Sequence, residues 1–184
     1  MEESFLNNLN TRAQAWGSRP QNLNTAMLVR GNATLNPNTG SIIESVHQNI
    51  YDTGSTALAA NSAFGDIVKF GGSTTQAGDI YYLKTDGTWD EARANAVGTS
   101  TGSLAVALGS NSTNDGMLLK GMVKLHNDPS ATIGNPVFLD DTAAGHARND
   151  APDTSGDIVR IVGHYYSGSG LIYFNPDNTF IEVA

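Results

Sequence analysis

The spacing of apolar positions changes twice along this chain. Near the start, Phe5, Leu6, Leu9, Ala13 and Trp16 recur roughly every three or four residues among polar neighbours. That period matches one stripe of an α-helix, and Gly17 and Pro20 supply stop signals, so a helix is expected within residues 1–20. From residue 21 to 64 the apolar positions thin to short clusters, Met27–Val29 and Ile42–Ile43, in a background of Asn, Thr and Ser. NPNTG at Asn36–Gly40 is a turn signal. So little apolar surface cannot sustain a core, and the segment reads as an extended arm with one hairpin, ordered by whatever it lies against. A disordered linker is the alternative.

From residue 65 to 184 the pattern becomes regular. GDIVKF (Gly65–Phe70), AGDIYYLKTDGTW (Ala77–Trp89), GSLAVALGS (Gly102–Ser110), DGMLLKGMVKL (Asp115–Leu125) and GNPVFLDDTAAGHA (Gly134–Ala147) are short apolar runs punctuated by turn residues. The closing stretch holds three more, Ile158–Tyr166, Leu171–Phe174 and Thr179–Val183, separated by SGSG and NPDN. Branched and aromatic side chains suit a pleated, half-buried surface, while Gly, Asn, Asp, Pro and Ser meet the backbone demands of tight turns. The closing stretch reads as three antiparallel strands, and Phe180 and Ile181 should point in opposite directions, one of them inward. Strands and turns recur about every ten residues with no helical stretch between them, which predicts an all-β fold, a small antiparallel barrel or sandwich, with an N-terminal helix and extended arm.

The pattern also occurs twice. Residues 78–123 overlay 134–183: GDIYYLKTDGTW pairs with GNPVFLDDTAAGHA, GSLAVALG with GDIVRIVG, and GMLLKGMV with GLIYFNPDNTFIEV. A strand–turn–strand unit that pairs with its own copy is a simple way to limit exposed sheet edges.

Composition narrows the functional classes. Charged residues make up only 15% of the 184-residue chain, and the net charge is −8. No Lys/Arg patch forms, which disfavours nucleic acid and anionic lipid as partners. The chain has no cysteine, so disulfides and thiolate metal sites are excluded. The opening MEESFLNNLN resembles neither a signal peptide nor a membrane span. The four histidines, His47, His126, His146 and His164, are far apart and show no HxxxH or HExxH spacing. His164 is expected at the solvent-facing end of a strand. Asp140, Asp141 and Asp177 stand in turn-like contexts, where bonding to the nearby backbone accounts for them. Thr85–Trp89 reads as a DG turn followed by a core-packing Trp. No catalytic residue, cofactor or metal is expected, although carboxylates distant in sequence can be paired by folding.

One resemblance extends the reading. Gly78-Asp79, Leu83, Trp89, Ala107-Leu108-Gly109, Leu118-Leu119-Lys120-Gly121, Gly134-Asn135-Pro136, Gly156–Gly163 and Ile172–Glu182 resemble a β-domain of tailed-bacteriophage structural proteins. That domain occurs in capsid decoration (cement) proteins and in the C-terminal parts of head and tail fibres. The resemblance covers about the last 110 residues and implies a virion protein on the outer surface of the particle, homotrimeric and not an enzyme. Its partners would be the major capsid protein or other virion proteins. Within that reading, Phe5, Leu9 and Trp16 are the candidate attachment residues, because a helix this short needs a partner surface for its stripe. That surface belongs either to its own domain or to a neighbour. The alternative function is a short head or tail fibre contacting host surface glycans, with Tyr165 and Tyr166 as stacking faces.

Overall fold

A computed structural model describes residues 63–184, and within 1–62 only two short strands. The chain divides into two compact units, Met1–Ile50 and Tyr51–Ala184. In the first, β1 (Ala33–Leu35) and β2 (Ile42–Glu44) pair antiparallel, with Thr34 opposite Ile43, on either side of the NPNTG turn signal. The expected helix within 1–20, and Phe5, Leu9 and Trp16 with it, lie outside the described residues. So does most of the arm.

The second unit is mostly β. β3 (Ala63–Val68) opens it, starting within the segment read as arm. Then come β4 (Ile80–Leu83), β5 (Trp89–Glu91), β6 (Leu104–Ala107) and β7 (Met117–Lys124). They are followed by β8 (Pro136–Leu139), β9 (Ala147–Arg148), β10 (Ile158–Val159), β11 (Ile161–Ser167), β12 (Leu171–Phe174) and β13 (Ile181–Glu182). Nine of these strands form one antiparallel sheet curled into a half-barrel; β10 and β13 pair separately. The expectation of no helical stretch beyond residue 65 is corrected by α1 (Val97–Ser100), a single turn. The Ser100 hydroxyl donates to the Ala96 carbonyl at 2.6 Å, so a side chain contributes to holding a turn too short to persist alone.

Read inward from its two ends, the sheet runs β5-β4-β6-β7 and β9-β8-β11-β12, and the halves meet at the β7–β12 pair. Matching bonds recur in the two halves. Gly78 N–H donates to Ala107 and Ala107 N–H to Asp79, at 2.8 and 3.0 Å; Gly134 N–H donates to Tyr165 and Tyr165 N–H to Asn135, at 2.8 and 2.9 Å. Both Gly78 and Gly134 hold φ at +87°, which a residue with a Cβ rarely adopts. By these bonds the counterpart of Ala107 is Tyr165, whereas the sequence overlay aligns it with Ile161. The shift arises because the Ile158–Tyr166 run is broken in two, β10 and β11, at Arg160.

Arg160 is fully buried, and its guanidinium is spent on backbone carbonyls. Nη1 donates to Ser100 at 2.7 Å, Nη2 to Gly102 at 3.0 Å and to Asp177 at 2.7 Å, and Nε to Asp177 at 3.1 Å. Burial lowers its pKa, and the nearby Asp177 charge opposes that shift. The planar fork can satisfy carbonyls from two segments at once, tying the α1–β6 turn to the approach of β13. The closing stretch is therefore not a simple three-strand meander. β11 pairs with β12, while β10 takes β13 as its partner, with Val159 opposite Ile181.

Alternation of side chains separates two clusters across the sheet. Ile80, Val106, Leu118, Val123, Val137, Leu139, Val162, Ile172 and Phe174 make the larger one. Tyr81, Trp89, Ala105, Ala107 and Met117 make the smaller, and Trp89 is buried there as its position after the DG turn implied. The curl is fixed by bonds between the outer strands and loops of the two halves. Ile80 N–H donates to Gly145 and Gly145 N–H to Ala92, at 2.7 and 2.8 Å; Ala94 N–H donates to Asp140 at 2.8 Å, and the Ala94 carbonyl accepts from Ile158 N–H at 2.7 Å.

Two outcomes follow from this architecture. Arg160→Met keeps bulk but leaves buried carbonyls unpaired, and should lower stability by about 3 kcal/mol or more, measured as a shift of the urea midpoint at constant slope. Arg160→Lys should recover only part of the loss, because one ammonium cannot span the same carbonyls. A chain lacking Met1–Asn61 keeps β3 to β13 and should remain soluble and unfold in one cooperative transition by circular dichroism.

Candidate functional site

Curling brings together groups that are remote in sequence. Asp79 immediately precedes β4, His126 follows the end of β7, and His146 immediately precedes β9. One ligating atom from each of the three lies within 4.8 Å of those of the other two. Asp79 Oδ1 is 3.1 Å from His126 Nδ1, and the His126 and His146 rings meet edge to face at a centroid distance of 6.1 Å.

The backbone around each residue explains the convergence. His126 N–H donates to the Gly78 carbonyl at 3.0 Å, docking the end of β7 beside the start of β4. A Cβ on Gly78 would collide with the His126 backbone nitrogen, so only glycine allows this approach. Gly145, next to His146, packs directly on the Asp79 side chain: a Cβ there would sit 3.0–3.2 Å from its Cβ, Cγ and Oδ2. His146 is held by its own carbonyl, which accepts from Asp140 N–H at 3.1 Å.

The environment is asymmetric. The Asp79 side chain is only 7% exposed, whereas that of His126 is 54% exposed. Burial raises the Asp79 pKa, and the neighbouring His126 and His146 pull it back down in part. Among the described residues, His126 is the hydrogen-bond partner of Oδ1, and Oδ2 accepts no hydrogen bond. The sequence reading saw no metal-ligand spacing among the histidines, and none exists. Separations of 47 and 20 residues carry no motif, and Gly78-Asp79 and Gly145-His146 mark the site only once the sheet is closed. His164 lies within β11 and is exposed, opposite Tyr173 and Pro136.

A second polar cluster joins Asp141, Arg148, Asp150 and Asp157. Arg148 pairs with Asp141 through Nη1 and grips Asp150 through Nε and Nη2, at 3.1 and 2.8 Å. The bond to Asp150 raises the Arg148 pKa the most, and Asp141 adds to it. Asp157 and Asp141 are both buried and adjoin one another, a meeting of carboxyls that no sequence spacing announced. Burial raises the Asp157 pKa first, and the adjoining Asp141 carboxyl raises it further.

An open cleft of about 480 Å³ is lined by Gly102, Ser103, Leu104, Leu119, Arg160, Pro176 and Asn178. Its one charged group, Arg160, is already occupied by backbone carbonyls, so it offers a ligand little. No family model, curated protein or solved structure matches the chain. Among the described residues, no helix is long and apolar enough to cross a membrane.

The outer surface of the closing strands differs from expectation. Phe180 and Ile181 are both exposed, at 42% and 66%, so neither points into the core. The reason is the β10–β13 pairing, which sets β13 apart from the large sheet. Ile161 and Tyr166 are exposed as well. Tyr165 is buried, and its hydroxyl donates to Asp128 at 2.8 Å, which leaves Tyr166 alone of the pair as a free stacking face.

The Asp157 shift has a definite sign. A carboxyl whose pKa is raised on folding holds more protons in the native state between its unfolded value, near 3.9, and its folded value. Stability contributed by Asp157 is therefore present at low pH and lost as pH rises through the raised pKa. Asp157→Asn removes the ionisation, so the stability of the variant relative to the parent should increase from about pH 4 upward. Urea unfolding of both proteins across that range checks the sign, and a difference independent of pH would refute it.

Proposed function

We propose that this protein is a structural component of a bacteriophage virion, a capsid decoration protein whose β-domain assembles as a homotrimer on the outer surface of the shell. The observation that carries the reading is the exposure of four large apolar side chains on and beside the closing strands, Ile161, Tyr166, Phe180 and Ile181. These residues fall in the segment with the most specific resemblance to phage β-domains, Gly156–Gly163 and Ile172–Glu182, or beside it. Large apolar side chains on strands at the periphery of a fold suit contact with another protein. A second copy of the same chain is the simplest partner, because a closed ring buries the same face on every subunit.

On this reading the domain's work is mechanical. The N-terminal segment, with Phe5, Leu9 and Trp16 as its anchors, attaches to neighbouring shell subunits. Three weak attachments on one trimer reinforce one another through effective concentration, so no single contact has to be strong. The fibre alternative has less support, since Tyr165 is committed to the core and Tyr166 alone remains for stacking on a sugar.

Light scattering should give a trimer mass at micromolar concentration, and the melting temperature should rise with protomer concentration. Ile181→Lys should shift the mass toward monomer while leaving the β-rich circular dichroism spectrum intact. A parent protein that is monomeric at every concentration would sink the trimer reading. For attachment, Trp16→Ala removes a side chain worth about 2–3 kcal/mol of burial at each of three sites. It should reduce virion occupancy on quantitative gels far more than it lowers the melting temperature. The opposite pattern would place the helix on its own domain.

A further inference from the structure

We infer that Asp79, His126 and His146 form a binding site for a divalent transition-metal ion of the Zn²⁺ or Co²⁺ class. The ion would clamp the start of β4, the end of β7 and the start of β9 to one another. The inference does not depend on the virion reading.

The donor set selects the metal. Two imidazoles and one carboxylate suit Zn²⁺, Co²⁺, Ni²⁺ and Cu²⁺, whereas Mg²⁺ and Ca²⁺ prefer all-oxygen shells. With Zn–N and Zn–O bonds near 2.0–2.1 Å, two ligands of a tetrahedral ion lie about 3.3 Å apart. The Asp79 Oδ1 to His126 Nδ1 separation of 3.1 Å already matches such an edge. The remaining atom, on His146, lies within 4.8 Å and needs only a modest rotation of a partly exposed ring.

The independent sign of a site is the state of Asp79. A carboxylate more than nine-tenths buried normally accepts several hydrogen bonds. Here Oδ1 has the single His126 partner, and among the described residues Oδ2 has none. A cation facing that carboxylate would neutralise the buried charge and satisfy its free lone pairs. Backbone bonds to Gly78, Ala107 and Asp140 hold the three loops in place, so the site is largely arranged before the ion arrives. The exposed side of His126 faces solvent, leaving the fourth position to water.

The sequence halves make the site single. Asn135 stands where the first half has Asp79, by the matching bonds to Tyr165 and Ala107. A neutral amide there cannot supply the charge. One ion per chain is therefore expected.

The test uses the full-length protein, stripped with chelator and titrated calorimetrically with zinc chloride and cobalt chloride. Binding should be one to one with micromolar or tighter affinity, and saturating Zn²⁺ should raise the melting temperature by several degrees. Mg²⁺ and Ca²⁺ at the same concentration should leave it unchanged. Bound Co²⁺ should show the strong visible absorption of a four-coordinate ion, well above that of aqueous Co²⁺. His126→Ala and His146→Ala, both at positions that leave the core intact, should each weaken binding about tenfold or more. His164→Ala, at an exposed histidine elsewhere on the sheet, should bind like the parent. Absence of binding at millimolar Zn²⁺, or affinity retained in both His126→Ala and His146→Ala, would overturn the proposal.

Discussion

Strand β7 has more neighbours than an ordinary strand accommodates, and the fold depends on how it does so. β6 pairs with its first residues, β12 with its last, and β3 runs along it from Met117 to Val123. The β3 pairing is possible because Gly65 stands opposite Gly121. A Cβ on Gly65 would collide with the Lys120 carbonyl oxygen, and one on Gly121 with that of Phe64. Two facing glycines let the backbones approach where side chains would hold them apart. β7 is thus the place where β3 and the two halves of the sheet are joined.

Once the halves are joined through β7 and β12, the right-handed twist of paired strands curls the sheet. Its outer ends approach, and the bonds from Ile80, Gly145, Ala92, Ala94 and Ile158 lock them. That closure positions the chemistry. Asp79 and His146 belong to opposite halves and meet only because the ends do, and His126 joins them because β7 ends at the same rim. The curl also leaves β10 and β13 as a separate pair, with Arg160 between β10 and β11 bonded to the Asp177 carbonyl on the approach to β13. The exposed apolar side chains of the closing strands and the Asp79–His126–His146 cluster are consequences of one closure, placed at different parts of the fold.

The sequence by itself determined what depends on near neighbours. Alternating apolar runs and their turn residues located β3 to β9 within a few positions, because the two-residue period and the φ demands of tight turns are local properties. The place of Trp89 in the core was legible for the same reason, and so was the hairpin signal between β1 and β2. Tertiary structure decided what depends on distant partners. It broke the Ile158–Tyr166 run at Arg160, because a buried guanidinium needs carbonyls some 60 residues away. It gave β13 to β10, so that both Phe180 and Ile181 face outward although alternation had put one of them inside. It also assembled Asp79, His126 and His146, and paired Asp141 with Asp157, from positions whose spacing encodes nothing. A strand's tendency to form is set by the residues beside it in sequence. The company its side chains keep is set by how the whole sheet closes.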